Sequence, residues 1–301
     1  MQIGMIGLGK MGGRMTERLI QGGHEVVATA LSKESIERAV AKGAVGAYSV
    51  EDLVATLEPP RMVWLMVPHG KPTEETIDKL ADLLEAGDTV IDGGNSNYQE
   101  SIRRGDTLAE KSIHMIDVGV SGGVWGLKEG YGMMVGGDDE PVNRLRPVLE
   151  TLAPAADKGW AHMGPRGAGH FVKMVHNGIE YGAMQAYAEG FAVLKAKEEF
   201  DLDLHEIAEA WRFGTVIRSW LLDLTARALA DDQDLPDIGA WVDDSGEGRW
   251  TVEEAIQLAV PAPVIAEALF ARFRSRRPDN YADKLLAAMR HQFGGHAVKD
   301  E

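Results

Sequence analysis

An apolar run, Ile3 to Ile6, passes directly into Gly7-Leu8-Gly9-Lys10-Met11-Gly12, and a helical pattern follows at Met15, Leu19 and Ile20. A lone G-x-G-x-x-G is weak evidence, but between a strand and a helix the spacing has a physical reading. The first glycine permits a tight turn. The second lets backbone approach a pyrophosphate, and the third lets helix and strand pack closely. Amide N–H groups and the dipole at the helix start then favour phosphate. The chain must therefore begin with a βαβ unit for a dinucleotide, with Gly7, Leu8, Gly9, Lys10, Met11 and Gly12 forming the cofactor loop.

The second strand runs from Glu25 to Ala30, where an NAD-binding unit carries an acidic residue for the ribose hydroxyls. This chain instead reads Thr29-Ala30-Leu31-Ser32-Lys33, with a helix from Ser32 or Lys33 onward. With no carboxylate to repel a 2′-phosphate, and with Ser32 and Lys33 at hand, NAD and NADP are both admissible at Ala30, Leu31, Ser32 and Lys33. Further strands, Arg61 to Val67, Thr89 to Asp92 and His114 to Val118, alternate with helical patterns. The alternation predicts a parallel, doubly wound sheet with its ligand beyond the carboxyl ends of the strands. Val67-Pro68-His69-Gly70, Asp92-Gly93-Gly94-Asn95-Ser96 and Gly119-Val120-Ser121-Gly122-Gly123 all fall at such ends, and Val67, Pro68 and Asn95 join the cofactor set.

A chain of 301 residues is long enough for about two domains. Glycines at 159, 164, 167 and 169 punctuate the sequence, and beyond them the signals are helical. The expected division is a dinucleotide-binding domain over 1–164 and an all-α substrate and oligomerisation domain over 165–301. A long helix from about Gly167 to Lys197 forms the spine of the second. A net charge of −16, from 47 acidic and 31 basic residues, argues against nucleic-acid or anionic-membrane partners. It also demands a local basic cluster wherever an anionic substrate binds. There is no cysteine, which excludes disulfides and thiolate chemistry, and the nine histidines show no metal-ligand spacing. No metal is expected. The absence of membrane-length apolar stretches and of a signal-like N-terminus makes the cytoplasm the expected compartment.

The stretch Lys173-Met174-Val175-His176-Asn177-Gly178-Ile179-Glu180-Tyr181 carries the chemistry. Helical neighbours lie three and four residues apart, so Lys173, His176, Asn177 and Glu180 share one face. Gly178 and Gly182 each cost a helix about 1 kcal/mol relative to Ala, which implies that the backbone there approaches something closely.

Together these segments resemble 6-phosphogluconate dehydrogenase of the decarboxylating type, in its short bacterial-type branch. The resemblance rests on Gly7 to Gly12, Ile91 to Ser96, Val120 to Gly123 and Lys173 to Glu180. Val216-Ile217-Arg218-Ser219 and the tail Arg290-His291-Gln292-Phe293-Gly294-Gly295-His296 extend it over nearly the whole chain. It implies a Rossmann domain followed by a helical domain, and oxidative decarboxylation of a phosphorylated sugar acid with NAD or NADP. Lys173 matches the family's base, and Glu180 the acid that protonates C1 of the enediol. Asn95, Ser121, Gly122, Gly123, His176 and Asn177 match positions that hold the carboxylate and hydroxyls. Tyr181 and Arg218 match phosphate contacts, and Arg290 and His296 match tail residues that reach the phosphate across a subunit interface. The resemblance therefore implies a homodimer or homotetramer with a shared active site. The chain departs from the long form in lacking its duplicated helical half and the usual cofactor-reading residues after the second strand.

Two other readings compete. A β-hydroxyacid dehydrogenase acting on a small 3-hydroxy acid shares the fold and the lysine, but does not need His176, Glu180, Arg218 or the tail. A cofactor-binding regulatory protein does not need Lys173, Asn177 and Glu180 together.

Overall fold

The short strand β1 (Gln2–Ile6) is buried on both sides, as its apolar run requires of a strand in the middle of a parallel sheet. In the computed structural model, which describes residues 1–277 and 280–294, it is central to the first of two compact units, Met1–His176. The remaining strands are β2 (Glu25–Thr29), β3 (Val45–Gly46), β4 (Met62–Leu65), β5 (Thr89–Asp92), β6 (His114–Ser121), β7 (Gly132–Gly136) and β8 (Trp160–Gly164). Their order in the sheet is β3-β2-β1-β4-β5-β6-β7-β8. Helices α1 (Gly12–Gln21), α2 (Lys33–Val40), α3 (Val50–Thr56), α4 (Lys71–Leu83), α5 (Tyr98–Ala109), α6 (Gly126–Glu129) and α7 (Asp139–Leu152) connect them.

Alternation along the strands sends side chains to two cores. Ile3, Met5, Trp64 and Ile116 face Met15 and Leu19 of α1 and Leu145 and Val148 of α7. Val27, Val63, Leu65 and Val90 face Leu53 of α3, Ile77 and Leu80 of α4 and Leu108 of α5. The sheet is thus doubly wound, and the order reverses between β1 and β4, the place where such sheets bind ligands.

The sheet is not parallel throughout, which corrects the sequence expectation. β7 runs antiparallel to β6. The connection from Ser121 to Gly132 is shorter than the roughly dozen residues that a parallel crossover needs. The glycine-punctuated stretch that ends at Gly164 also contains a strand, β8, which pairs parallel with β7 at the sheet edge.

The second unit begins at Asn177, within the long helix α8 (Ala168–Ala196). It continues through α9 (Leu204–Trp211), α10 (Trp220–Asp231), α11 (Glu247–Gln257), α12 (Pro263–Ser275) and α13 (Tyr281–Gly294), with no strand among the described residues. Side-chain caps start two of these helices: Asp203 accepts from Glu206 N at 2.9 Å and Ser219 from Leu222 N at 3.0 Å. Phe191, Leu204, Ala208, Leu222, Ala226 and Leu229 form one small core, and Tyr181, Ala268 and Leu269 a second. Among the described residues no helix is long and apolar enough to cross a membrane.

Candidate active site

The glycine loop meets the demands of a dinucleotide position by position. Gly7 has φ +99, and its N–H donates to Thr29 O at 2.9 Å. A Cβ there would lie 2.4 Å from Met66 O, so only glycine turns at this point. A Cβ at Gly12 would lie 2.0 Å from Gly7 O, which is the close helix–strand packing expected of the third glycine. At Gly9 nothing lies within 4 Å, so the backbone there is open to a ligand. The first turn of α1 carries no acidic side chain and no side-chain cap, so its amides suit a phosphate. Leu8 is buried, Lys10 exposed and Met11 half-buried. These residues fit a pyrophosphate.

Two other strand ends close on this loop. A Cβ at Gly7 would lie 3.3 Å from Val67 Cγ1, and one at Gly94 would lie 2.9 Å from Val67 O. Pro68 O accepts from Thr73 Oγ1 at 2.8 Å, which ties the turn to α4. Beyond β2, Ala30 is half-buried and Leu31 fully exposed. Ser32 is engaged as the cap of α2, accepting from Ser35 N at 3.4 Å, and Lys33 pairs with Glu37 at 3.5 Å in an exposed ion pair.

Asp92, fully buried at the end of β5, shapes the next loop. Its carboxylate accepts from Gly94 N at 3.0 Å and from Ser96 Oγ at 2.7 Å, while Asn95 between them is exposed. Gly122 and Gly123 have φ +133 and +52, so the turn after Ser121 depends on glycine. Tyr131 supports that turn from below: a Cβ at Gly126 would lie 2.0 Å from its ring. Burial pushes the Tyr131 phenol up to about 12, against the opposing influence of Arg14 and Arg18, so it stays protonated.

Lys173 is seated by its neighbours on β6. A Cβ at Gly119 would lie 2.2 Å from Lys173 Cβ. Two residues earlier on the same strand, the buried Asp117 accepts from Gly167 N at 2.6 Å and from His170 N at 2.7 Å. It satisfies amides at the start of α8 that have no partner within the helix. Glycines allow this proximity, because a Cβ at Gly169 would lie 2.5 Å from both Asp117 O and Met134 O. The His170 ring is held against Ser101 Oγ at 2.7 Å. Lys173 itself is buried.

Within the second unit, Asn177 is buried and its Nδ2 donates to Glu247 Oε1 at 3.0 Å. The glycines of α8 are explained here: a Cβ at Gly178 would lie 2.7 Å from Thr251 Cγ2 and one at Gly182 3.2 Å from Val264 Cγ1. Tyr181 is buried, its hydroxyl accepts from Ser245 N at 3.2 Å, and the Arg272 guanidinium lies 3.5 Å from its ring centroid. The basic stretch Arg272 to Arg277 starts inside α12, whose last turn holds Arg272 and Arg274. Arg249 and Arg276 both bond to Asp244. The hydrogen bond from Arg249, and then that from Arg276, hold the Asp244 carboxyl down at about 2. His176 and Glu180 are half-buried on α8. Arg218 is exposed on the connection between α9 and α10, where Tyr187 Oη meets Ser219 Oγ at 2.9 Å. Arg290 is exposed on α13, and His296 lies outside the described residues.

Asp117, Glu247 and Arg249 stand in no motif singled out in the sequence. The signal for Glu247 and Arg249 was present in Ser245-Gly246-Glu247-Gly248-Arg249, a glycine-flanked acid just before a helix. Among the described residues no group of three or more His, Asp or Glu is arranged to hold a metal.

Two family models match in succession. The NAD binding domain of 6-phosphogluconate dehydrogenase covers residues 2–164, and the 6-phosphogluconate dehydrogenase C-terminal domain covers residues 169–292. The NAD(+)-dependent, decarboxylating 6-phosphogluconate dehydrogenase of Haloferax volcanii is 45% identical over 299 residues, 99% of this chain and 98% of that protein. The putative 6-phosphogluconate dehydrogenase YqeC of Bacillus subtilis is 44% identical over 299 residues, 99% of each. Among solved structures, the Plasmodium falciparum 6-phosphogluconate dehydrogenase superposes with a TM-score of 0.83 at 31% identity, covering 100% of this chain and 66% of that one. With a dinucleotide loop that fits a pyrophosphate, a buried lysine opening the polar face of α8, and relatives matched from end to end, the chain belongs to the 6-phosphogluconate dehydrogenase family.

Proposed function

We propose that this protein oxidises and decarboxylates 6-phospho-D-gluconate to D-ribulose 5-phosphate and CO2, with reduction of NAD or NADP. The observation that carries the reading is the seating of Lys173, buried against Gly119 on a helix whose start is held by Asp117, with Asn177 and Glu180 further along the same helix.

A bound nicotinamide supplies the hydride acceptor, and the glycine loop from Gly7 to Gly12 with Val67 and Pro68 supports its placement. Ala30, Leu31, Ser32 and Lys33 border the adenosine ribose, and Asn95 serves cofactor and substrate. Lys173, in its neutral form, takes the proton of the C3 hydroxyl as the hydride leaves C3. Now protonated, it hydrogen-bonds the new C3 carbonyl oxygen. The C1–C2 bond then breaks, CO2 departs, and its bonding electron pair forms the C2–C3 double bond as Lys173 gives its proton to the C3 oxygen, leaving the enediol. Glu180 gives a proton to the carbon that lost CO2 while Lys173 takes back the proton of the neighbouring hydroxyl, which restores the carbonyl and completes ribulose 5-phosphate. A lysine base and a carboxylic acid with separate roles suit two proton transfers of opposite direction. Asn95, Ser121, Gly122, Gly123, His176 and Asn177 are assigned to the carboxylate and hydroxyls.

The phosphate is assigned to Tyr181 and Arg218, joined by Arg272, whose guanidinium lies over the Tyr181 ring. Arginine suits this task because its planar fork bonds two oxygens at once. Such a cluster supplies the positive charge that a chain of net charge −16 otherwise lacks. Arg290 and His296 complete the phosphate site of a neighbouring subunit in a homodimer or homotetramer. The apolar exposure of the second unit supports association: Val216 is 99% exposed, Ile256 74% and Val264 67%. The cytoplasm is the proposed compartment.

The test is turnover of 6-phosphogluconate with NAD and NADP in parallel, followed at the reduced-nicotinamide absorbance band, with 3-hydroxyisobutyrate as the competing substrate. Release of CO2 with the phosphorylated sugar acid supports the reading, whereas activity confined to the small hydroxy acid replaces it. Mixing Lys173→Met with Arg290→Ala protein tests the shared site. Subunit exchange restores activity if Arg290 serves a neighbour, and leaves none if it does not.

A further inference from the structure

A buried carboxylate with no part in the proton transfers lies next to Asn177. Glu247 is 2% exposed, and it is the first residue of α11, where the helix dipole favours negative charge. Its Oε1 accepts from Asn177 Nδ2 at 3.0 Å and its Oε2 accepts from Ser245 Oγ. Two glycines bring these groups together. Gly178 lets α8 approach Thr251, and a Cβ at Gly248 would lie 2.4 Å from the Tyr181 ring. Ser245 N donates in turn to the Tyr181 hydroxyl, so a continuous hydrogen-bonded path joins Tyr181, Ser245, Glu247 and Asn177.

We infer that Glu247 is a positioning residue that fixes which way the Asn177 amide faces, and so sets the substrate hydroxyl that the protein requires. In this bond the amide donates and the carboxyl oxygen accepts. The amide nitrogen of Asn177 must therefore be the atom turned towards Glu247, and its oxygen is turned away. An amide oxygen can only accept, which is what a substrate O–H needs. A neutral amide at position 247 lifts the constraint, because a glutamine can meet either the nitrogen or the oxygen of Asn177. The carboxylate thus acts on recognition through Asn177 without touching substrate. A site built to bond one hydroxyl discriminates sharply against an analogue that lacks it.

This inference rests on the assignment of Asn177 to the sugar acid. The experiment compares the parent protein with Glu247→Gln, nearly identical in shape. For each, the affinity for 6-phosphogluconate is measured by competition against those of its monodeoxy analogues, each missing one hydroxyl. The parent is expected to favour 6-phosphogluconate over one of these analogues by at least about tenfold. In Glu247→Gln that ratio falls towards one, with dinucleotide affinity unchanged. Loss of affinity for both compounds in equal measure, with the ratio kept, overturns the inference and leaves Glu247 a structural residue. If Glu247→Gln does not fold, Glu247→Ala, which removes the acceptor of the Asn177 amide altogether, decides by the same ratio: a fall supports the inference, and a ratio equal to the parent's overturns it. The substrate reading is tested separately by turnover in the parent. Should that fail, hydrogen exchange of the Asn177 side-chain amide still tests the orientation, being slow in the parent and accelerated in Glu247→Gln if the carboxylate holds it.

Discussion

Gly119 and Lys173 share one volume. The space that any side chain at position 119 would fill is occupied by the lysine, whose Cβ would lie 2.2 Å from a Cβ built on the glycine. The strand therefore sets the stem of the proposed base, and Gly119→Ala must move it. Misplacement of a reacting group by about 1 Å can cost on the order of 10²-fold in rate. The expected result is a fall in kcat of that order with 6-phosphogluconate, while dinucleotide affinity stays near that of the parent. Lys173→Met, measured beside it, should abolish hydride transfer. Turnover of Lys173→Met within a few-fold of the parent would remove Lys173 from the role of base, and the same result for Gly119→Ala would show that the stem shifts without loss.

Glu180 is assigned the proton delivered after CO2 leaves. General acid catalysis contributes about 10²–10⁴-fold, so Glu180→Gln should lose activity within that range. The loss should fall on formation of ribulose 5-phosphate. Full activity with an unchanged pH profile would make Glu180 a structural carboxylate.

Cofactor choice turns on the end of β2, where Ala30 is followed by an exposed Leu31 and by Ser32 engaged in capping α2. Ala30→Asp places a carboxylate where ribose hydroxyls are expected, and should shift the NAD/NADP ratio of kcat/KM towards NAD through diol bonding and repulsion of a 2′-phosphate. A ratio that does not move would mean that position 30 does not face the ribose.

Asp117 holds two buried amides at the start of α8, that of Gly167 just before the helix and that of His170 in its first turn. Asp117→Ala leaves both donors without this acceptor, at about 1–3 kcal/mol each. A clear drop in Tm is expected, and Asp117→Asn, which keeps one acceptor, should fall between. An unchanged Tm in the alanine variant would show that solvent replaces the carboxylate at no cost.

The Asp244 carboxyl is held down at about 2 by Arg249 and Arg276, below its ordinary value. A depressed pKa contributes stability above the unfolded value, near 4, and that contribution is lost as pH falls from about 4 to about 2. Its size is about 2 kcal/mol. Urea midpoints measured across that window should fall more steeply for the parent than for Asp244→Asn. Parallel slopes would contradict the linkage.

Local patterns were enough to read the glycine loop, the alternation of strands and helices, and the long helix, expected from about Gly167 to Lys197 and observed as Ala168–Ala196. These features depend on neighbours a few residues apart, and the spacing of apolar side chains and glycines encodes them directly. The polar face from Lys173 to Glu180 was legible for the same reason. The direction of β7 was decided by the length of its connection to β6, and β8 by pairing with β7, so neither was visible in a strand's own residues.

The supports of the candidate site were likewise decided in three dimensions. Asp117 meets Gly167 and His170 across 50 and 53 residues, and Asn177 meets Glu247 across 70. In the sequence these acids are indistinguishable from the others that make the chain acidic. Only packing removes water from their carboxylates and leaves a backbone amide or an asparagine as the partner, and a buried polar group must find such a partner to be tolerated. The sequence by itself determined which chemical groups line α8 and which glycine loop joins β1 to α1. The tertiary structure decided which distant carboxylates hold those groups in place, because desolvation, and not residue type, turns an ordinary acid into a fixed acceptor.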